Sequence, residues 1–191
     1  AEPAHANQAP DLDSPTDHHA AVQAILQWLQ QALAGRPVAA VSHRVVHGGV
    51  ALTDPVRVDD ALLEQLDRLV PLAPLHQPHN LAGIRAAREA FPGMPQIACF
   101  DTAFHRSHPF VADTFALPRR YYDEGIRRYG FHGLSYEFIA RRLRELDPAL
   151  ARGRVIVAHL GNGASMCAML EGRSVASTMG FTAVSYTHLT L

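Results

Sequence analysis

Several short segments put chemically capable side chains at strand ends or beside glycines. The first is His43-Arg44-Val45-Val46-His47-Gly48-Gly49. On a helix, an HxxxH spacing could chelate a metal, but the valines here favour a strand. Residues four apart on a strand stand about 13 Å apart at roughly 3.3 Å per residue. Two imidazoles cannot share a zinc over that span with bonds of about 2 Å. Packing and hydrogen bonding near a strand end is the expected role of both histidines. Arg44 lies between apolar neighbours ahead of a flexible Gly pair, where it could hold a carboxylate or phosphate bidentately. Taken alone, it fits a surface ion pair more readily.

Phe100-Asp101-Thr102 puts an acid at the C-terminal end of an apolar strand, the edge where open α/β sheets bind ligands. Asp101 could equally cap a following helical turn. Tyr129-Gly130-Phe131-His132-Gly133 sets a histidine between glycines that let backbone approach a ligand closely. By itself the segment is better read as an aromatic core turn. His159-Leu160-Gly161-Asn162-Gly163 follows an apolar strand and could cradle phosphate on its amides. It is not GxGxxG entering a helix, so a Rossmann reading fails, and Asn-Gly is also a strong hairpin signal. Residues 71–80, PLAPLHQPHN, make a proline-rigid turn with His76 and His79. This could be a pocket wall or a simple loop with Asn80 capping the next helix.

The positioning elements follow from periodicity. Apolar residues Val22, Ile25, Leu26, Leu29 and Leu33 predict an amphipathic helix over 18–34, capped by Ser14 or Thr16. Residues 38–46 read as a strand, 59–70 and 80–91 as helices, and Gln96–Phe100 as a short strand. Residues 109–130 read as loops and short turns, and 134–146 as a helix whose apolar residues are Phe138, Leu143 and Leu146. Arg154–Leu160, Ala164–Leu170 and 173–178 read as three meander strands. Alternating strands and helices followed by a meander predict an α/β protein whose second unit is beginning.

The chain has 191 residues, 48% hydrophobic and 18% charged, with net charge −1. It can bury a core, and it lacks the basic footprint of a nucleic-acid binder. No stretch approaches the roughly 18 apolar residues of a membrane span. The opening residues AEPAHANQAP do not resemble a signal peptide. They also lack an initiator Met, which suggests a fragment or a processed chain. All 17 basic residues are Arg, which excludes a Lys Schiff base or a Walker A lysine within this chain. Two Cys without CxxC spacing give no disulfide framework and fit a reducing compartment.

Six segments occurring in order resemble the acetate kinase family, of the acetate/sugar kinase, chaperone-ATPase and actin superfamily. They are SHRVVHGG, PLAPLHQPHN, ACFDTAFHRSHP, RRYGFHGLSYEFIARR, VIVAHLGNGAS and STMGFTA, together spanning most of residues 40–183. The resemblance implies an incomplete two-domain ribonuclease-H-like, actin-like ATPase fold. Arg44 would bind the substrate carboxylate, Val46 and Leu75 would line its methyl pocket, and His76 would lie at the substrate site. Asp101 and His132 would be catalytic. His159, Leu160, Gly161, Asn162 and Gly163 would contact nucleotide phosphates. The co-substrates would be ATP and acetate, with Mg2+ whose direct ligands fall outside this chain. A cytoplasmic homodimer, with no nucleic-acid or membrane partner, is the implied setting.

The family's opening phosphate loop and its second catalytic Arg find no counterpart here, so a fragment lacking both ends is expected. Residues 1–13 would be loose, 14–105 an incomplete first domain, and 106–183 the start of a nucleotide-binding domain. The 184–191 text VSYTHLTL departs from the family and is expected to be non-native. The chain alone is expected to be inactive.

The implied reaction is reversible transfer of a phosphoryl group from ATP to acetate, giving acetyl phosphate and ADP. Acetate is already ionised near neutrality. Asp101 is therefore expected to work through the magnesium shell or by orienting Arg44, and not as a general base. The alternatives are a propionate or butyrate kinase of the same family and, from another class, a nonenzymatic His-rich metal binder. A bare nucleotide-binding module is a weaker option.

Overall fold

A computed structural model describes residues 18–33 and 35–183. The expected caps at Ser14 or Thr16, the segment 1–13 and the tail 184–191 lie outside them.

Two three-stranded sheets organise these residues. In the first, β1 (Val41–Val45) runs parallel to the central strand β3 (Gln96–Phe100), and the short β2 (Val56–Arg57) pairs antiparallel on the other side. β1 is shorter than the predicted 38–46 run because its partner offers only five ladder positions, Gln96 to Phe100. Helix α1 (His18–Ala32) packs on α3 (Gln77–Ala90), and α2 (Asp60–Asp67) packs on α3 as well. Leu62, Leu66, Leu81 and Ile84 from α2 and α3 bury against Val45, Ala98 and Phe100 of the sheet. The Asp59 carboxylate caps α2 by accepting from the Leu62 amide at 2.8 Å.

Helix α3 begins three residues before the predicted 80–91. Pro78 sits in its first turn, where a missing N–H costs nothing. Asn80 is therefore not a cap. Its side-chain oxygen accepts from the Val46 amide at 2.9 Å, tying the helix to the end of β1.

The second sheet is an antiparallel meander of β4 (Arg154–Leu160), β5 (Ala164–Leu170) and β6 (Arg173–Ser177), with a bulge at Ala168/Met169. Glu171 and Gly172 both have positive φ, 53° and 75°, which a two-residue hairpin turn with the right twist requires. Residues 109–130 contain two short helices, α4 (Phe110–Asp113) and α5 (Arg119–Asp123). α6 (Gly133–Leu146) covers the meander through Tyr136 and Ala140, packed with Cys167 and Met169. Phe138 and Leu146, expected on its apolar face, are 51% and 71% exposed. α7 (Pro148–Ala151) follows, capped by Asp147. Among the described residues no helix is long and apolar enough to cross a membrane.

Candidate active site

The parallel pair β1 and β3 ends with Arg44 on one strand and Asp101 just past the other. The Asp101 amide extends the ladder by donating to the Val45 carbonyl at 3.0 Å, while its own carbonyl accepts from the Gly133 amide at 2.9 Å. A Cβ on Gly133 would lie 2.1 Å from that carbonyl oxygen, so only glycine permits this approach. The contact brings His132 beside Asp101. His132 itself has φ 60° and ψ 21° at the N-terminus of α6, an uncommon conformation for a non-glycine residue.

The Asp101 carboxylate is 1% exposed and accepts three hydrogen bonds from Arg44. Nε donates to both oxygens at 3.1 and 3.2 Å, and Nη2 donates to Oδ2 at 2.7 Å. These bonds hold the Arg44 proton above its ordinary range, against the opposing effect of burial. Asp101 does not cap the next turn with its side chain; that short 3-10 helix has no side-chain cap.

A cleft of about 380 Å³ opens over this pair. Arg44, Val46, His76, Asn80, His132, His159, Asn162, Gly163 and Ala183 line it. Seven of the sequence-predicted site residues thus converge, with Asp101 beneath Arg44. Leu75 and Leu160 are not brought in. Leu75 is 64% exposed in the turn before α3 and does not line the cleft. Leu160 is 80% exposed, because successive strand residues face opposite ways and its neighbour His159 takes the cleft side. Gly161 stays in the turn, where its amide donates to the Gly163 carbonyl at 3.1 Å.

His132 and His159 stack with centroids 4.0 Å apart. His159 Nδ1 meets Ser135 Oγ at 3.0 Å, and His132 Nδ1 meets Ser165 Oγ at 2.8 Å. The other ring nitrogen, His132 Nε2, faces the turn: a Cβ on Gly163 would come within 3.1 Å of it. Burial chiefly, and then His159, lower the His132 pKa; Asp101 opposes them, and Arg44 and His76 add to the lowering. His132 is therefore neutral near pH 7 and carries one ring N–H.

Two histidines near β1 but outside the cleft have their own partners. His43 Nε2 meets Gln96 Oε1 at 2.6 Å, and His47 Nδ1 accepts from the Gly49 amide at 2.9 Å. Among the described residues no group of three or more His, Cys, Asp or Glu could hold a metal. The cleft lining contains no carboxylate, and both Asp101 oxygens already accept from Arg44. These residues do not fit a direct magnesium site. They do fit an anion, since the cleft presents cationic and N–H groups and no competing negative charge.

Sequence reasoning missed Asn80 as a clamp on β1, and it missed Ser165, Tyr136 and Ser135 behind the two histidines. The available signal was Ser165 itself, a hydroxyl at an inward-facing position of β5 in line with Cys167 and Met169.

Known proteins share this arrangement of elements. The chain is 64% identical over 173 residues to an acetate kinase of Methylocella silvestris, covering 91% of this chain and 43% of that protein. The acetate kinase structure from Entamoeba histolytica superposes with a TM-score of 0.78 at 32% identity, covering 87% of this chain and 43% of the other. A propionate kinase from Francisella tularensis superposes with a TM-score of 0.77 at 36% identity, covering 84% and 43%. The chain thus spans less than half the length of the proteins it matches. The acetokinase family model matches residues 3–186, and with the α/β order and the shared superposition this chain belongs to the acetokinase family.

Proposed function

We propose that this chain is the acceptor-binding and part of the phosphate-facing portion of an acetate kinase, which transfers the γ-phosphoryl group of ATP to acetate. The observation that carries the reading is Arg44, held by Asp101, opening on the same cleft as His132 and the 161–163 turn. The Nε–Nη2 edge of Arg44 is occupied by Asp101, and the rest of this mostly exposed side chain lines the cleft that an incoming carboxylate would enter.

An acetate oxygen attacks the γ-phosphorus, a new P–O bond forms, and the bond to ADP breaks with its electrons going to ADP. Such transfers are loose, so catalysis is positioning and charge stabilisation. Arg44 positions the nucleophile, and the His132 N–H meets an equatorial phosphoryl oxygen as charge spreads. His159, Asn162 and Gly163 approach the phosphates. Asp101 acts as a positioning residue, since acetate has no proton to lose and both Asp101 oxygens are engaged by Arg44. Magnesium would supply neutralisation of phosphate charge, and its direct ligands would have to come from outside this cleft lining, whose residues do not fit the ion. The reading includes a cytoplasmic homodimer whose first domain takes in residues 14–105 and whose second starts near 106.

The test is a protein of the relatives' full length carrying this segment, assayed for acetyl phosphate with ATP, magnesium and acetate. Absence of product in a folded sample would refute the reading. Propionate is the second substrate to compare, because a propionate kinase shares the fold at 36% identity. One methylene against Val46 is worth only about 1–3 kcal/mol, so the ratio of kcat/KM values decides. The His-rich metal-binder reading predicts stoichiometric zinc after purification.

A further inference from the structure

Behind the cleft, Ser165 Oγ lies 2.8 Å from His132 Nδ1 and 2.5 Å from the Tyr136 hydroxyl. Tyr136 is fully buried, and Ser165 is 5% exposed, so bulk solvent does not reach their hydrogen bonds. A serine hydroxyl carries a single proton, and so does tyrosine. The direction of the chain therefore turns on where Tyr136 places its own. Ser165 Oγ is the acceptor within reach of the Tyr136 hydroxyl. A tyrosine that only accepted from Ser165 would leave its own buried proton without an acceptor, so Tyr136 donates to Ser165. Ser165 then donates its one proton to His132 Nδ1, which must be unprotonated to accept it. A neutral imidazole with an accepting Nδ1 carries its proton on Nε2.

We propose that Tyr136 and Ser165 form a one-way hydrogen-bond relay that fixes His132 as its Nε2–H tautomer, aiming a donor at the 161–163 turn. The relay rests on the functional reading above only for its purpose, presenting N–H to the transferred phosphoryl group; its direction follows from the hydrogen-bond partners alone. Ser165 and Tyr136 are positioning residues that never touch substrate. The stack of His132 on His159, itself hydrogen-bonded to Ser135, holds the ring plane. The same residues explain why His132 occupies a left-handed backbone position: that conformation delivers Nδ1 to Ser165 while Nε2 faces Gly163.

The test uses a protein of the relatives' full length with isotopically labelled imidazole nitrogens. His132 is assigned by the signal missing from His132→Gln, and its tautomer is read from nitrogen–hydrogen correlations near pH 7, where the buried ring is neutral. The expected result is a protonated Nε2 and an unprotonated, hydrogen-bonded Nδ1. In Ser165→Ala the Nδ1–H form should become populated and kcat should fall about tenfold to a hundredfold, the usual cost of losing an orienting partner, with both KM values little changed. Ser165→Thr restores the hydroxyl and should restore both the tautomer and kcat. Tyr136→Phe, which keeps the ring, tests the relay should Ser165 variants fold poorly, and should also populate the Nδ1–H form. A wild-type His132 protonated on Nδ1, or a tautomer unchanged in both Ser165→Ala and Tyr136→Phe, overturns the relay. A protein with the expected tautomer but no acetate phosphorylation would instead remove the functional reading and leave the relay standing.

Discussion

Arg44 and Asp101 are joined by three hydrogen bonds, yet one is almost wholly buried and the other mostly open: the Asp101 side chain is 1% exposed and that of Arg44 63%. Asp101 is anchored through its own backbone, which bonds Val45 on one side and Gly133 on the other. The fixed carboxylate thus orients the exposed guanidinium. In a protein of the relatives' full length carrying this segment, the background for every kinetic variant below, Asp101→Asn should raise the KM for acetate and lower kcat/KM, while every ionisation in the pH–rate profile persists. Loss of one ionisation from that profile would make Asp101 a base and refute the orienting role.

Arg44→Ala has two expected effects. Losing a charge-assisted hydrogen bond to the acceptor costs on the order of 1.5–3 kcal/mol, so the KM for acetate should rise roughly tenfold to a hundredfold. Stability should also fall, because the substitution leaves a buried carboxylate without its partner. Denaturant unfolding and acetate kinetics on the same sample measure both; unaltered acetate kinetics would take Arg44 out of the site.

His132→Ala should cut kcat by about 10²–10³, as removal of a preorganised transition-state donor does, with smaller changes in either KM. A purely structural histidine predicts a less stable protein with normal activity per folded molecule. Activity normalised to the folded fraction separates these outcomes.

Gly163→Ala tests how closely the turn approaches His132. A methyl there would stand 3.1 Å from Nε2 and 3.2 Å from Cε1. The ring must shift, so kcat should drop while stability changes little. Equal activity in the two proteins would mean that His132 yields without consequence.

Acid should unfold the protein with proton uptake. Burial is the main cause lowering His47 to about 4, His105 to about 3 and His108 to about 4, from an ordinary 6.5. In the folded protein these rings stay neutral where the unfolded chain is protonated. Their contribution is complete above pH 6.5 and is lost progressively as pH falls toward the folded values. Each supplies a slope of up to about 1.4 kcal/mol per pH unit in that window. His105→Gln should reduce the proton uptake on unfolding by about one, measured from unfolding midpoints between pH 4.5 and 6.5, roughly. An unchanged uptake would show that His105 is not the buried neutral base described.

The sequence alone determined the family and the longer elements, though not the short β2, α4, α5 and α7. The strands Gln96–Phe100, Arg154–Leu160 and Ala164–Leu170 coincide with their predicted bounds, because apolar runs closed by Pro, Gly or Asp carry the signal locally. Arg44, Asp101 and His132 were also legible as candidates, since glycines and strand ends mark where backbone can meet a ligand. Partnership was not legible. Arg44 and Asp101 are 57 residues apart, and their pairing depends on β1 lying parallel to β3 in one register. Local spacing also could not tell whether Asn80 caps a helix or clamps Val46, since the same amide serves either role and only the neighbouring strand decides. It could not turn Leu75 and Leu160 away from the cleft, nor show that Ser165 faces Tyr136 and His132. Side-chain direction and the partner across a gap are properties of packed elements, and they exist only once the two sheets and α6 have come together.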